Sequence, residues 1–96
     1  MTKAHHLAAL EALADVANAA TATGIAASEK HSDELAASAA RIHAMADAAR
    51  TRLVQDGDEY LAVAWAVLDT CRISLAETRL RVSNARGRRY AVSYAS

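Results

Sequence analysis

The sequence predicts an all-α protein, and three observations carry that prediction. Twenty-six of the 96 residues are alanine, none is proline and three are glycine. Alanine loses no side-chain entropy in a helix, whereas proline removes a donor and clashes with the preceding turn. Apolar residues recur at helical spacing through long stretches. There is no phenylalanine and one tryptophan, so the helices must approach closely through small side chains instead of surrounding an aromatic core. The expected architecture is about three amphipathic helices, the second and third paired as an antiparallel hairpin, in a homodimer. Residues 1–87 form the single helical domain and residues 88–96 a short basic and aromatic tail.

The glycines Gly24, Gly57 and Gly87 divide the chain into periodic segments, each glycine standing where the residue after a helix C-terminus is expected. The first helix runs from about Lys3 to Thr23. Its larger apolar residues Leu7, Leu10, Leu13 and Val16 recur every three residues, which rotates around a 3.6-residue helix and spreads the apolar face over a wide arc. The second helix opens at Ser32, a good N-cap, with Asp33 and Glu34 in the first turn to complement the helix dipole. It runs to about Gln55. Leu35, Ala39, Ile42, Ala46, Ala49 and Leu53 alternate by four and three, the pattern of a coiled-coil seam.

The third helix starts after the Asp56-Gly57-Asp58 turn, with Asp58 as its N-cap, and runs to about Arg86. Leu61, Leu68, Leu75 and Val82 are spaced by seven, with Ala64, Cys71 and Thr78 between them, a second seam able to lie antiparallel against the first because the connection is short. Residues Tyr60 to Leu68 are apolar without interruption. That surface is broader than one hairpin partner covers, so either the first helix packs there or a second subunit does. Tyr60, Val63, Trp65 and Val67 are the expected oligomer interface. Tyr90, Val92 and Tyr94 alternate by two, compatible with a short extended arm or a frayed helix end.

A single cysteine, Cys71, excludes an internal disulfide and fits a reducing compartment. The first twenty residues hold Lys3, His5, His6, Glu11 and Asp15, unlike a secretory signal, and nothing approaches the roughly 18 apolar residues of a membrane span. The expectation is a soluble, cytoplasmic protein with no membrane partner. Charge is zero in sum but segregated: residues 1–78 carry six Lys/Arg against eleven Asp/Glu, and residues 79–96 carry five arginines and no acid.

Few residues suggest chemistry. His5 and His6 are adjacent and point about 100° apart on a helix, and His31 and His43 lack a second ligand at i+3 or i+4. They read as surface histidines, with no metal and no cofactor expected. Cys71 lies on an apolar seam and reads as a packed small hydrophobe. Asp56, Asp58 and Glu59 crowd one turn, but the twelve-residue span and closing glutamate of a calcium loop are missing, and an exposed turn offers no cleft for acid–base catalysis. Turn and capping chemistry accounts for them. Together with Glu29, Asp33 and Glu34 they form exposed acidic ends suited to docking on a basic partner. Arg79, Arg81, Arg86, Arg88 and Arg89 are the possible nucleic-acid contacts, since arginine forks suit phosphate and Tyr90 and Tyr94 can stack on bases. The neutral net charge argues against a dedicated nucleic-acid binder, and Glu77 can pair with Arg81 one turn on.

The alanine-rich opening Ala14-Asp15-Val16-Ala17-Asn18-Ala19-Ala20, the stretch Glu29-Lys30-His31-Ser32-Asp33-Glu34-Leu35 and the run Tyr60-Leu61-Ala62-Val63-Ala64-Trp65-Ala66-Val67 resemble the small all-helical anti-CRISPR proteins of phages and mobile elements. The resemblance is one of size and pattern. It implies a non-enzymatic, stoichiometric inhibitor that binds a host surveillance complex, similar to inhibitors of the type I-F complex, and blocks DNA recognition. The alternative is a homodimeric, nucleic-acid-associated regulatory protein that uses the arginine cluster.

Overall fold

The computed structural model describes the backbone of residues 3–95 and the side chains of residues 3–85. All the described elements are helical: α1 spans Lys3–Glu29, α2 Asp33–Asp56, a 3-10 turn Gly57–Tyr60, and α3 Leu61–Ala95. The all-α expectation therefore holds. A contact between His6 and Asp58 marks one end of the assembly. At the other, Ala27, Leu35 and Val82 share a small buried cluster and the Lys30 ammonium donates to the Val82 carbonyl. Thus α1 and α3 run in one direction and α2 runs against both, in a rod of 58 × 16 × 15 Å.

The seams of α2 and α3 are buried as the spacing predicts: every one of Leu35, Ala39, Ile42, Ala46, Ala49 and Leu53 faces inward, as do Leu61, Ala64, Leu68, Cys71, Leu75, Thr78 and Val82. The inward face of α1 includes the expected Leu13 and Val16, with Leu10 partly buried against the core, but the rest of it differs from the expectation. It consists of Ala9, Leu13, Val16, Ala20, Thr23 and Ala27, a four-three alternation carried mostly by small residues, with Ala17 buried beside it, while Leu7 is 56% exposed. This third seam completes a coiled-coil-like packing. The two inward threonines cost little because each hydroxyl donates within its own helix, Thr23 to Ala19 O at 2.8 Å and Thr78 to Ser74 O at 2.8 Å.

Two of the three glycines do not end helices. α1 continues through Gly24 to Glu29 and α3 through Gly87 to Ala95, since a glycine inside an alanine-rich helix costs only about 1 kcal/mol, which flanking residues and packing outweigh. A Cβ built at Gly24 would lie 3.5 Å from Ala39 Cβ, so α1 and α2 approach closely here. The residue that ends α1 is His31, with φ 58°. His31 N–H donates to Ser28 O at 2.9 Å and Ser32 N–H to Ala27 O at 2.9 Å, the paired bonds of a Schellman cap. Ser32 then caps α2 by accepting from Leu35 N–H at 3.4 Å. The third glycine does act as a terminator: Gly57, at φ 66°, donates to Leu53 O. The expected N-cap Asp58 contributes its backbone carbonyl, which accepts from Leu61 N–H, while its carboxylate faces His6 at 3.7 Å.

The apolar start of α3 is largely accounted for within one chain. Tyr60, Trp65 and Val67 are partly buried against the main core, and Arg52 stacks over the Tyr60 ring at 5.0 Å. Val63 remains 49% exposed.

Three substitutions test this account by chemical denaturation. Gly24→Ala should stabilise the fold by about 1 kcal/mol, since the added methyl meets only ordinary contact distances. His31→Gly should also stabilise it by about 1 kcal/mol, by relieving the left-handed backbone. Leu68→Asp, at a fully buried seam position, should cost about 4 kcal/mol or more and abolish cooperative unfolding.

Candidate functional site

The rod separates the acidic residues into two groups. Glu29 at the end of α1 and Asp33 and Glu34 at the start of α2 are exposed at one end; Asp56, Asp58 and Glu59 are exposed at the other. With 24 residues of α2 between them, the groups stand roughly 35 Å apart at 1.5 Å per residue, so they form two surfaces and not one.

Their surroundings differ. Near the first group lie cations: Arg81 shares a shallow cleft with Ser32 and Glu34, and Lys30 is anchored to Val82 O at 3.1 Å. The second group adjoins apolar surface. Leu10 and Ala14 of α1 and Val54 of α2 line a groove of about 540 Å³ together with Glu11, Arg50 and Gln55. Leu7, one turn before Leu10 on α1, and Val54 are 56% and 66% exposed. Arg52 pairs with Asp56 at 2.9 Å and Arg50 with Asp47 at 3.5 Å; such surface pairs contribute little to stability but offset local charge. Glu11 and Glu59 have no ion pair among the described residues. Sequence reasoning placed Leu7 in the apolar face of the first helix and did not take Glu11 or Val54 as site residues. The signal was an apolar residue lying off the α2 seam and the three-residue leucine spacing on α1, both of which leave side chains outside the core.

The arginine cluster is contiguous in sequence and divided in space. Arg79 and Arg81 are two residues apart on one helix and point about 200° apart. Arg79 faces the α1 side, and Arg81 faces the α2 side and lies 3.9 Å from Glu77. The side chains of Arg86, Arg88, Arg89, Tyr90 and Tyr94 lie outside the described residues.

The remaining candidates resolve into packing. Half-buried His43 places Nδ1 3.0 Å from Ala17 O and 3.1 Å from Thr21 Oγ1, so the ring donates from Nδ1 to the carbonyl and ties α2 to α1. Among the described residues no group of three or more His, Cys, Asp or Glu is placed to hold a metal ion, and no helix is long and apolar enough to cross a membrane. Cys71 is 1% exposed, and burial pushes its thiol above the ordinary range by disfavouring the thiolate.

Comparisons of the chain with protein-family models, with curated proteins and with solved structures find no match.

Because the thiolate is the reactive species, Cys71 should react with an aromatic disulfide reagent at pH 8 at least about 100-fold more slowly in the folded protein than in denaturant. Equal rates in the two states would show that the interior at Cys71 is open.

Proposed function

We propose that the protein acts by docking on a protein partner, as a stoichiometric inhibitor rather than as an enzyme. The observation that supports this most directly is the groove between α1 and α2, lined by Leu10, Ala14 and exposed Val54 with Glu11 and Arg50, at the end of the rod where Asp56, Asp58 and Glu59 are exposed. Apolar side chains within a charged rim are the usual composition of a protein-binding patch. The exposed carboxylates of Asp58 and Glu59 at this end, with Glu11 in the groove, favour a partner whose surface is basic around an apolar contact and speed encounter with such a surface. Surfaces that hold nucleic acid are basic for the same reason. The resemblance to small helical anti-CRISPR proteins names a partner of that kind, a host RNA-guided surveillance complex, and inhibition would follow from occupying cationic residues that otherwise bind DNA. The opposite acidic group, Glu29, Asp33 and Glu34, takes a lesser part in this reading because nearby Lys30 and Arg81 offset its field.

A second reading has its own observation. Arg79 on the α1-facing side of α3, with Ile73 and Leu80 69% and 62% exposed on its outer face, suits a homodimeric, nucleic-acid-associated protein. Retention on DNA that falls steeply with salt, lost together with biological activity when Arg86, Arg88 and Arg89 are replaced by alanine, would favour it. Light scattering at tens of micromolar reads the dimer directly.

The test of the first reading is titration of a purified type I-F surveillance complex with the protein. Saturation at a fixed stoichiometry with loss of target-DNA binding is expected. The double reversal Glu11→Lys and Glu59→Lys should weaken association about tenfold or more with helicity unchanged, whereas reversal of Asp33 and Glu34 should weaken it less. No association at tens of micromolar would remove this partner.

A further inference from the structure

The groove between α1 and α3 has a composition unlike the rest of the surface. Its walls on α1 are largely the methyl groups of Ala19, Ala22 and Ala26, and among the described residues a space of about 370 Å³ stays open. Two cations and two hydroxyls also line it, from Lys30, Arg79, Thr23 and Ser83, and no carboxylate is among the described residues that line it. In a chain with as many acids as bases, this segregation is a property of the fold.

The placement of each group follows from local structure. Lys30 is the residue just before the left-handed His31, so the Schellman turn directs it across the end of α1 toward α3. Its ammonium lies 3.1 Å from Val82 O, which fixes the charge at the groove wall. Arg79 and Ser83 are four apart on α3 and therefore neighbours on one face, on either side of Val82 in the groove lining. Thr23 is 7% exposed and donates its proton to Ala19 O, which leaves its hydroxyl oxygen able only to accept there.

We propose that this groove is a binding site for a phosphate group, held by Lys30 and Arg79 with the Ser83 hydroxyl. A carboxylate is satisfied by the planar fork of one arginine, whereas phosphate presents oxygens in several directions and matches a guanidinium, an ammonium and a hydroxyl that approach from two helices. Thr23 can accept from a protonated phosphate oxygen. The apolar walls of Ala19, Ala22, Ala26 and Val82 then receive the organic part of a phosphate ester. The site is independent of the acidic end proposed for partner docking, and it joins Lys30 and Ser83, which the arginine cluster in the sequence does not contain, to Arg79.

The site is tested on the isolated protein by following backbone amide resonances during titration with inorganic phosphate at constant ionic strength and pH 7. Saturable shifts confined to Ala26, Val82, Ser83 and their neighbours are expected. Arg79→Gln should weaken the interaction about tenfold, Arg79→Lys should restore part of it, and Arg41→Gln, which removes a cation elsewhere on the surface, should leave it unchanged. Lys30→Gln should weaken it similarly; because that substitution also removes the bond to Val82 O, Arg79→Gln is the deciding variant. A nucleoside monophosphate and oligonucleotides with a 5′-phosphate or a 5′-hydroxyl separate the sources of the phosphate. Equal binding of the mononucleotide and the phosphorylated oligonucleotide points to a small organic phosphate, and tighter binding of the phosphorylated oligonucleotide alone points to a nucleic-acid end. Shifts that do not saturate, or an Arg79→Gln variant that binds as well as the native protein, would overturn the proposal. Since no partner complex enters the experiment, its failure leaves the docking reading untouched, and the converse also holds.

Discussion

Close approach of helices through small side chains is the constraint on which the rest of this structure depends. Where α1 meets α2, Gly24 stands against Ala39, and the buried faces elsewhere are largely alanine, with Leu13, Leu53, Leu68 and Cys71 the largest fully buried side chains. Small residues let backbones approach and interdigitate, but each contributes little apolar area, so a chain of this length has a thin interior. The geometry responds by extending the contact along the axis. Three seams run side by side through a rod nearly four times longer than it is wide, and the interior divides into a main cluster and a small one of Ala27, Leu35 and Val82 near the Lys30 end.

The seams of α2 and α3 were legible in the sequence because leucine, isoleucine and valine mark them at four-three spacing. That of α1 was legible only at Leu13 and Val16, since Ala9, Ala20, Thr23 and Ala27 mark the rest of it and alanine is equally common on the outer faces. Leu7, which is exposed, drew attention to the wrong arc. The helix ends failed for a related reason. Glycine signals termination where local propensity is marginal, but alanine-rich flanks carry a helix across Gly24 and Gly87. The end of α1 is decided by hydrogen bonds around His31, a residue with no strong terminating signal. The acidic residues were visible as candidates, yet their division between two ends depends on which way each helix runs. The separation of Arg79 from Arg81 was available from helical periodicity alone.

The same architecture organises the charges. An up-down-up arrangement sends consecutive turns to opposite ends, so the α1–α2 connection gathers Glu29, Asp33 and Glu34, and the α2–α3 connection gathers Asp56, Asp58 and Glu59. Among the described basic residues of α3, Arg81 lies beside the first group. One end of the rod thereby holds both signs and a cationic groove, and the other holds acids beside uncovered apolar side chains. A chain of zero net charge thus presents different charged surroundings at its two ends, and such local fields bias how a charged partner approaches.

An interior assembled from methyl groups also changes how the molecule yields to mutation. Alanine scanning reads a core by shortening its side chains, and at Ala9, Ala20, Ala27, Ala39, Ala46, Ala49 and Ala64, all within 2% of complete burial, there is nothing to shorten. The informative experiment there runs the other way, adding bulk: a seam that tolerates no extra carbon forces its helices apart along their whole length, because each helix is a stiff lever and a wedge at one layer opens the layers beside it. Drift in the sequence of such a protein is therefore limited from above, by volume, at its interior positions and much less so at the large side chains on its outside.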